Sequence, residues 1–136
     1  MYLIDTNVIS ELRKRHRAEP RVLTWFRETP EELMALSVVT AAELEAGVRL
    51  LERRDAAQGA IIRRWVEGVI AEFHARFVPV DLDIARICGG LHVPDPRPER
   101  DAWIAATALA HGLTVVTRNV SDFAPMGVKI VNPWEL

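Results

Sequence analysis

Tyr2-Leu3-Ile4-Asp5-Thr6-Asn7-Val8 sets three apolar residues against an acid and passes at once into a helical pattern that runs over Val8 to Arg15. A compact apolar run of this kind, bounded by polar residues, reads as a buried strand, Tyr2 to Ile4, feeding a helix through Asp5. Four further runs have the same character: Leu33 to Ser37, Phe77 to Val80, Leu113 to Thr117 and Val128 to Val131. Helical patterns lie between them, over Arg21 to Glu28, Thr40 to Arg53, Ala56 to Ala75, Leu82 to Leu91 and Ala102 to Ala110. On the third of these, Ile61, Trp65, Val69 and Phe73 form one stripe at four-residue spacing. Strands alternating with helices predict an α/β fold, with a central, mostly parallel sheet of four to five strands flanked by helices.

The chain has 136 residues, 49% hydrophobic and 26% charged, the expectation for one domain with a real core over residues 1–136. Seventeen Lys and Arg against nineteen Asp and Glu give a net charge of −2, which excludes bulk electrostatic coating of nucleic acid. Any basic surface must be local. The single cysteine, Cys88, excludes an internal disulfide and a cysteine-rich zinc site and fits a reducing compartment, so the expected location is cytoplasmic. No apolar run is long enough to span a bilayer, and no membrane partner is expected. The stretch His92 to Glu99, with Pro94, Pro96 and Pro98, must be a loop.

In right-handed crossovers, strand ends and helix starts share one edge of the sheet. Asp5 ends the first strand, Glu43 lies early in the helix after the second, Asp101 begins the helix before the fourth, and Asp122 follows the fourth. All four should emerge on the carboxyl edge, where open α/β sheets bind ligands. Two such charges about 4 Å apart repel by about 4 kcal/mol at an effective dielectric of 20. A divalent cation removes that repulsion, and carboxylates without imidazole or thiolate favour Mg²⁺, or Mn²⁺ in its place, over Zn²⁺. The chemistry that follows is metal-assisted phosphodiester hydrolysis.

The segments Leu3-Ile4-Asp5-Thr6-Asn7-Val8, Ser37-Val38-Val39-Thr40-Ala41-Ala42-Glu43-Leu44 with Gly47, Asp101-Ala102-Trp103-Ile104-Ala105-Ala106-Thr107-Ala108, Thr117-Arg118-Asn119-Val120-Ser121-Asp122-Phe123 and Asn132-Pro133-Trp134-Glu135-Leu136 resemble the PIN-domain nucleases, and more narrowly VapC-like toxins of toxin–antitoxin pairs. Each motif alone is weak; in order and at the expected spacing they are specific. The resemblance implies a PIN-like fold and a Mg²⁺-dependent ribonuclease acting on RNA. Its site acids would be Asp5, Glu43, Asp101 and Asp122, with Asp5 and Asp101 as the principal metal ligands. It further implies a homodimer held inactive by a small VapB-like antitoxin, with operator DNA bound only through that antitoxin. The Pro-rich approach to Asp101 is longer than is usual in the family.

Each residue also has a plainer role. Asp5 and Asp101 could be helix N-caps, and Glu43 a first-turn glutamate favoured by the helix dipole. Asn119 competes with Asp122 as the fourth site contact. Thr6 reads as a supporting donor and Asn7 as structural. Asp81, which also follows a strand, reads only as a cap. Gly47, one turn from Glu43, would allow a close approach, and Glu45 would point to solvent. The run Arg13-Lys14-Arg15-His16-Arg17 reads as a solvated end of the first helix, or as a contact with RNA backbone, with Arg118 the better phosphate candidate. Trp25, Phe26, Trp65 and Trp103 read as core or subunit interface. Two alternatives compete with the nuclease. An aspartyl-phosphate phosphatase would need an acid where Asn7 stands. A catalytically inert PIN-like binding module would act only through its antitoxin and operator complex.

Overall fold

The computed structural model describes all residues, Met1–Leu136. Strand β1 (Tyr2–Ile4) leads into helix α1 (Thr6–Leu12), and α2 (Pro20–Glu28) precedes β2 (Met34–Ser37). Helices α3 (Val38–Arg54) and α4 (Ala56–Glu72) follow as an antiparallel pair, then β3 (Phe77–Val78), α5 (Leu82–Leu91) and α6 (Glu99–His111). The chain closes through β4 (Thr114–Val116), the single-turn α7 (Val120–Phe123) and β5 (Ile130–Val131). The five strands are all parallel in the order β3-β2-β1-β4-β5. β1 is therefore central, with the order reversing on either side of it, and the crevice at such a reversal is where α/β sheets carry ligands.

Side chains alternate between two buried layers. Leu3, Ala35 and Val115 face α5 and α6, where Ala102, Ala105, Ala106 and Ala108 present a flat surface to the sheet. Ile4, Met34, Leu36 and Val116 face α1 to α4, against Val8, Val22, Leu44, Val66 and Phe73. Both faces are covered, which is why these short strands read as unbroken apolar runs.

All five predicted strands and six predicted helices are present, with boundaries moved by local chemistry. Pro79 has no N–H and ends β3 after two residues instead of four. Leu113 is not in β4, because its N–H is spent on the Ala108 carbonyl beyond Gly112, whose φ of 65° turns the chain out of α6. β5 lacks Val128 and Lys129, which follow the left-handed turn at Gly127. α1 stops at Leu12, three residues early, and Arg15 adopts φ 54°, a left-handed conformation that costs a residue with a Cβ about 1 kcal/mol. α3 starts two residues early because the Ser37 hydroxyl accepts from Val39 N at 3.0 Å. α4 ends at Glu72, and its expected stripe divides: Val69 and Phe73 are buried, Trp65 is half-buried and Ile61 is 54% exposed. Gly59 is where α4 meets α3, since a Cβ there would stand 2.7 Å from Glu52 Cα. No helix is long and apolar enough to cross a membrane.

Candidate active site

The first strand delivers Asp5 to the carboxyl edge with 4% of its surface exposed. Its Oδ1 accepts from Thr6 N at 2.8 Å and its Oδ2 from the Thr117 hydroxyl at 2.8 Å. Thr117, just beyond β4, also accepts from Asn7 Nδ2 at 3.2 Å and from Asn119 N at 3.0 Å. One buried hydroxyl thus joins the ends of the two central strands. Burial pushes the Asp5 carboxyl up, the two donors pull it back, and the charge of Asp122 adds to the rise.

Glu43 reaches the same edge from the second turn of α3 and Asp101 from the first turn of α6. Glu43 is raised by burial and by Asp5, against the opposing pull of Thr6 and of Arg100, whose guanidinium stands 3.6 Å away. Asp101 is pushed up to about 6 by burial and then by the charges of Asp5, Asp122 and Glu43. The N-cap position of α6 belongs to Pro98, so capping is not the role of Asp101. Asp5, Glu43 and Asp101 line one polar cleft of about 400 Å³ without a single hydrophobic wall residue. Asp122 stands behind that lining, where its charge reaches both Asp5 and Asp101, while Asn119 lines the cleft itself. Both contenders for the fourth position are therefore at the site. No three His, Cys, Asp or Glu side chains are disposed to hold one ion by themselves.

The plainer readings divide in the same way. Asp81 caps α5, accepting from Ile84 N at 2.9 Å, and stays out of the cleft. Thr6 donates to the Thr40 hydroxyl at 3.1 Å and supports Glu43. Asn7 is both structural and exposed to the cleft, accepting from Arg118 N at 3.4 Å. No other element packs against Gly47, where a Cβ would meet open space in a groove that Glu43 also lines. Glu45 is not merely solvated: Arg63 bridges it at 2.8 Å, and Arg63 followed by Arg49 pulls its carboxyl down to about 2.

Two cleft residues escaped the sequence reading. Ser10 and Glu11 line it together with Arg13 and Lys14. Glu11 is buried, and burial pushes it up. The Glu19 N–H and the Lys14 ammonium, both at 2.9 Å, outweigh that and hold it below the ordinary value. Of the basic run, Arg13 and Lys14 therefore belong to the site wall and not to solvent alone. Their spacing from Asp5, two to three turns along a helix, was the available signal. Arg118 lies outside the lining, stacked 5.2 Å above the Trp134 ring.

Residues 2–126 match the PIN domain family. The chain belongs to the PIN-domain family. It is 39% identical over 146 aligned positions to a VapC ribonuclease, Y4jK, of Sinorhizobium fredii, covering 99% of both chains. The crystal structure of FitAcB from Neisseria gonorrhoeae superposes with a TM-score of 0.90 at 34% identity, over 100% of both chains. A structure of FitAB bound to a DNA fragment superposes equally well, at 33% identity over 100% of this chain and 97% of that one. The fold is that of a PIN domain, as the motif resemblance implies, and its parallel sheet flanked by helices is what the alternation of strands and helices predicts.

Proposed function

We propose that residues 1–136 form one PIN domain that acts as a metal-dependent ribonuclease toxin. The observation that carries this is the convergence of Asp5, Glu43 and Asp101 in one cleft made only of polar side chains, where burial and then three neighbouring acids lift the half-buried Asp101 carboxyl to about 6. Acids held together against their own repulsion, with no cation between Asp5 and Asp101, fit a divalent ion. The donor set is all oxygen, which suits Mg²⁺, or Mn²⁺ in its place. Asp5 and Asp101 would hold the ion, as the family resemblance implies, with Glu43 and Asp122 completing the acidic site directly or through water. Mg²⁺ characteristically uses one or two carboxylates and keeps its remaining waters. When bound, such an ion supplies an acidified water and neutralises charge on the phosphate.

The chain supplies the rest. Thr6 and Thr117 fix both oxygens of Asp5, so its carboxylate is preorganised. Arg13 and Lys14 on the cleft wall draw the phosphate toward acids that would otherwise repel it. The similarity to FitAB and to VapC ribonucleases supports RNA as substrate and a small antitoxin as the partner that restrains it, with operator DNA reached through that partner. A homodimer is the assembly that the family resemblance implies. Purified protein should cut RNA with Mg²⁺ or Mn²⁺, stop on chelation, and lose at least a hundredfold in rate in Asp5→Asn. Undiminished cleavage by that variant would overturn the assignment.

A further inference from the structure

Beside the cleft runs a second groove, about 640 Å³, between the Arg13–Arg17 turn and the outer face of α4. Arg13, Lys14, Arg15, Arg17 and Arg64 line it, and no acid does. Of these only Lys14 is in an ion pair, with Glu11; the four arginines have no carboxylate partner. In a chain of net charge −2, five cations around one unshared groove are a concentration of positive potential without an internal purpose. The floor is apolar and partly aromatic. Ile61 and Ile62 flank Trp65, whose indole lies 6.0 Å beneath the Arg13 guanidinium. Arg13 and Lys14 line both the groove and the acidic cleft, so the two depressions adjoin.

We propose that this groove carries the RNA strand beyond the cleaved bond: a single-stranded segment of several nucleotides, its phosphates on the arginines and an unstacked base against Trp65. The inference rests on the ribonuclease reading and extends it by assigning a track for the substrate. A phosphodiester chain suits the site for two reasons. It is a polyanion, and four arginines with no carboxylate partner, beside Lys14, suit one. Its unstacked bases have π-faces for an exposed aromatic floor, which paired RNA does not offer. The left-handed backbone of Arg15 belongs to the same picture. Glycine would adopt that conformation freely, yet an arginine stands there and its side chain lines the groove.

The test is binding, measured apart from cleavage. Fluorescence anisotropy of a labelled oligouridylate of about twelve nucleotides, a length within the range single-strand grooves cover, is followed with the full chain in chelator across a salt series. Arg17→Glu and Arg64→Glu, neither in the cleft, should each weaken affinity roughly five- to tenfold and flatten the slope of log affinity against log salt by about 0.7. Arg86→Glu, on α5 across the sheet, makes the same change in net charge and should leave the slope unaltered. Arg15→Gly should weaken binding similarly while thermal stability holds or rises, a result that unfolding cannot produce. An equal loss in Arg86→Glu, or no loss in the groove variants, would overturn the proposal. So would unchanged RNA affinity alongside a weakened antitoxin complex, which would give the groove to a protein partner. A trinucleotide too short to leave the cleft separates this inference from the one beneath it. Arg17→Glu should cut it at the unsubstituted rate. Wild-type protein that binds through the groove and cuts nothing would leave the track standing and remove the nuclease.

Discussion

Replacing Asp101 by asparagine should stabilise the metal-free protein while abolishing its chemistry. Burial, then the charges of Asp5, Asp122 and Glu43, lift this carboxyl from 3.8 to about 6. At about 1.4 kcal/mol per tenfold change in proton affinity, ionising it in the folded state costs about 3 kcal/mol before solvent is allowed for. The side chain is only half-buried, and screening by water removes about half of that. Its position in the first turn of α6 returns about 0.5 kcal/mol through the helix dipole. About 1 kcal/mol of destabilisation remains. The amide keeps the shape and loses the charge, so Asp101→Asn should raise Tm in chelator at pH 8 by roughly 3–5 °C. The pH dependence fixes the cause. A carboxyl raised in the folded state keeps its proton to higher pH than the unfolded chain does, so the native protein loses stability as pH climbs from about 4 through about 6. The advantage of the variant should therefore be nearly absent at about pH 4 and complete above about pH 7. Millimolar Mg²⁺ should reverse the ranking by stabilising only the unsubstituted protein. A variant that melts lower at pH 8, or gains equally at both pH values, would refute the reasoning.

Four other substitutions probe the frame around the site. Thr117→Val removes one donor to Asp5 and the acceptor for Asn7 and Asn119, and should cost about 1–3 kcal/mol in urea unfolding while weakening Mg²⁺ binding by calorimetry. Gly59→Ala drives a Cβ against the α3 backbone and should cost about 1–3 kcal/mol, whereas Gly68→Ala, in open space on the same helix, should gain up to about 1 kcal/mol. Arg63→Ala should lower Tm at pH 7 by freeing Glu45 and Glu52. Because the Glu45 carboxyl is held down to about 2, that difference should shrink as pH falls through the range from 4.5 toward 2 and vanish below it.

The carboxyl-edge rule was enough to bring Asp5, Glu43 and Asp101 into one cleft, because strand polarity and crossover handedness leave little choice of where those positions emerge. What it could not supply was anything dependent on long-range packing. Thr117 read as an ordinary strand end, and its three-way bonding exists only once β1 and β4 lie side by side. The basic run was assigned to a continuing helix, since nothing local in Arg13-Lys14-Arg15 announces a left-handed residue; the turn there is what aims these side chains along the groove. Gly47 and Gly59 show the same limit from opposite sides. Both are helical glycines in sequence, but only the α3–α4 contact decides that the second is crowded and the first is not. Ile61 continued an apolar stripe that the structure leaves uncovered at its outer end.

The central place of β1 has a consequence for how the chain is born. Asp5 is synthesised 112 residues before Thr117, yet one flank of its strand is completed only by β4, and its Oδ2 is held only by Thr117. Asp101 and Asp122 also lie far downstream of Asp5. At the usual pace of about 5–20 residues per second, several seconds of synthesis pass in which no assembled cleft exists. A message broken before codon 117, or a stalled ribosome, yields a fragment without the site, so the activity of this chain is all-or-none in length.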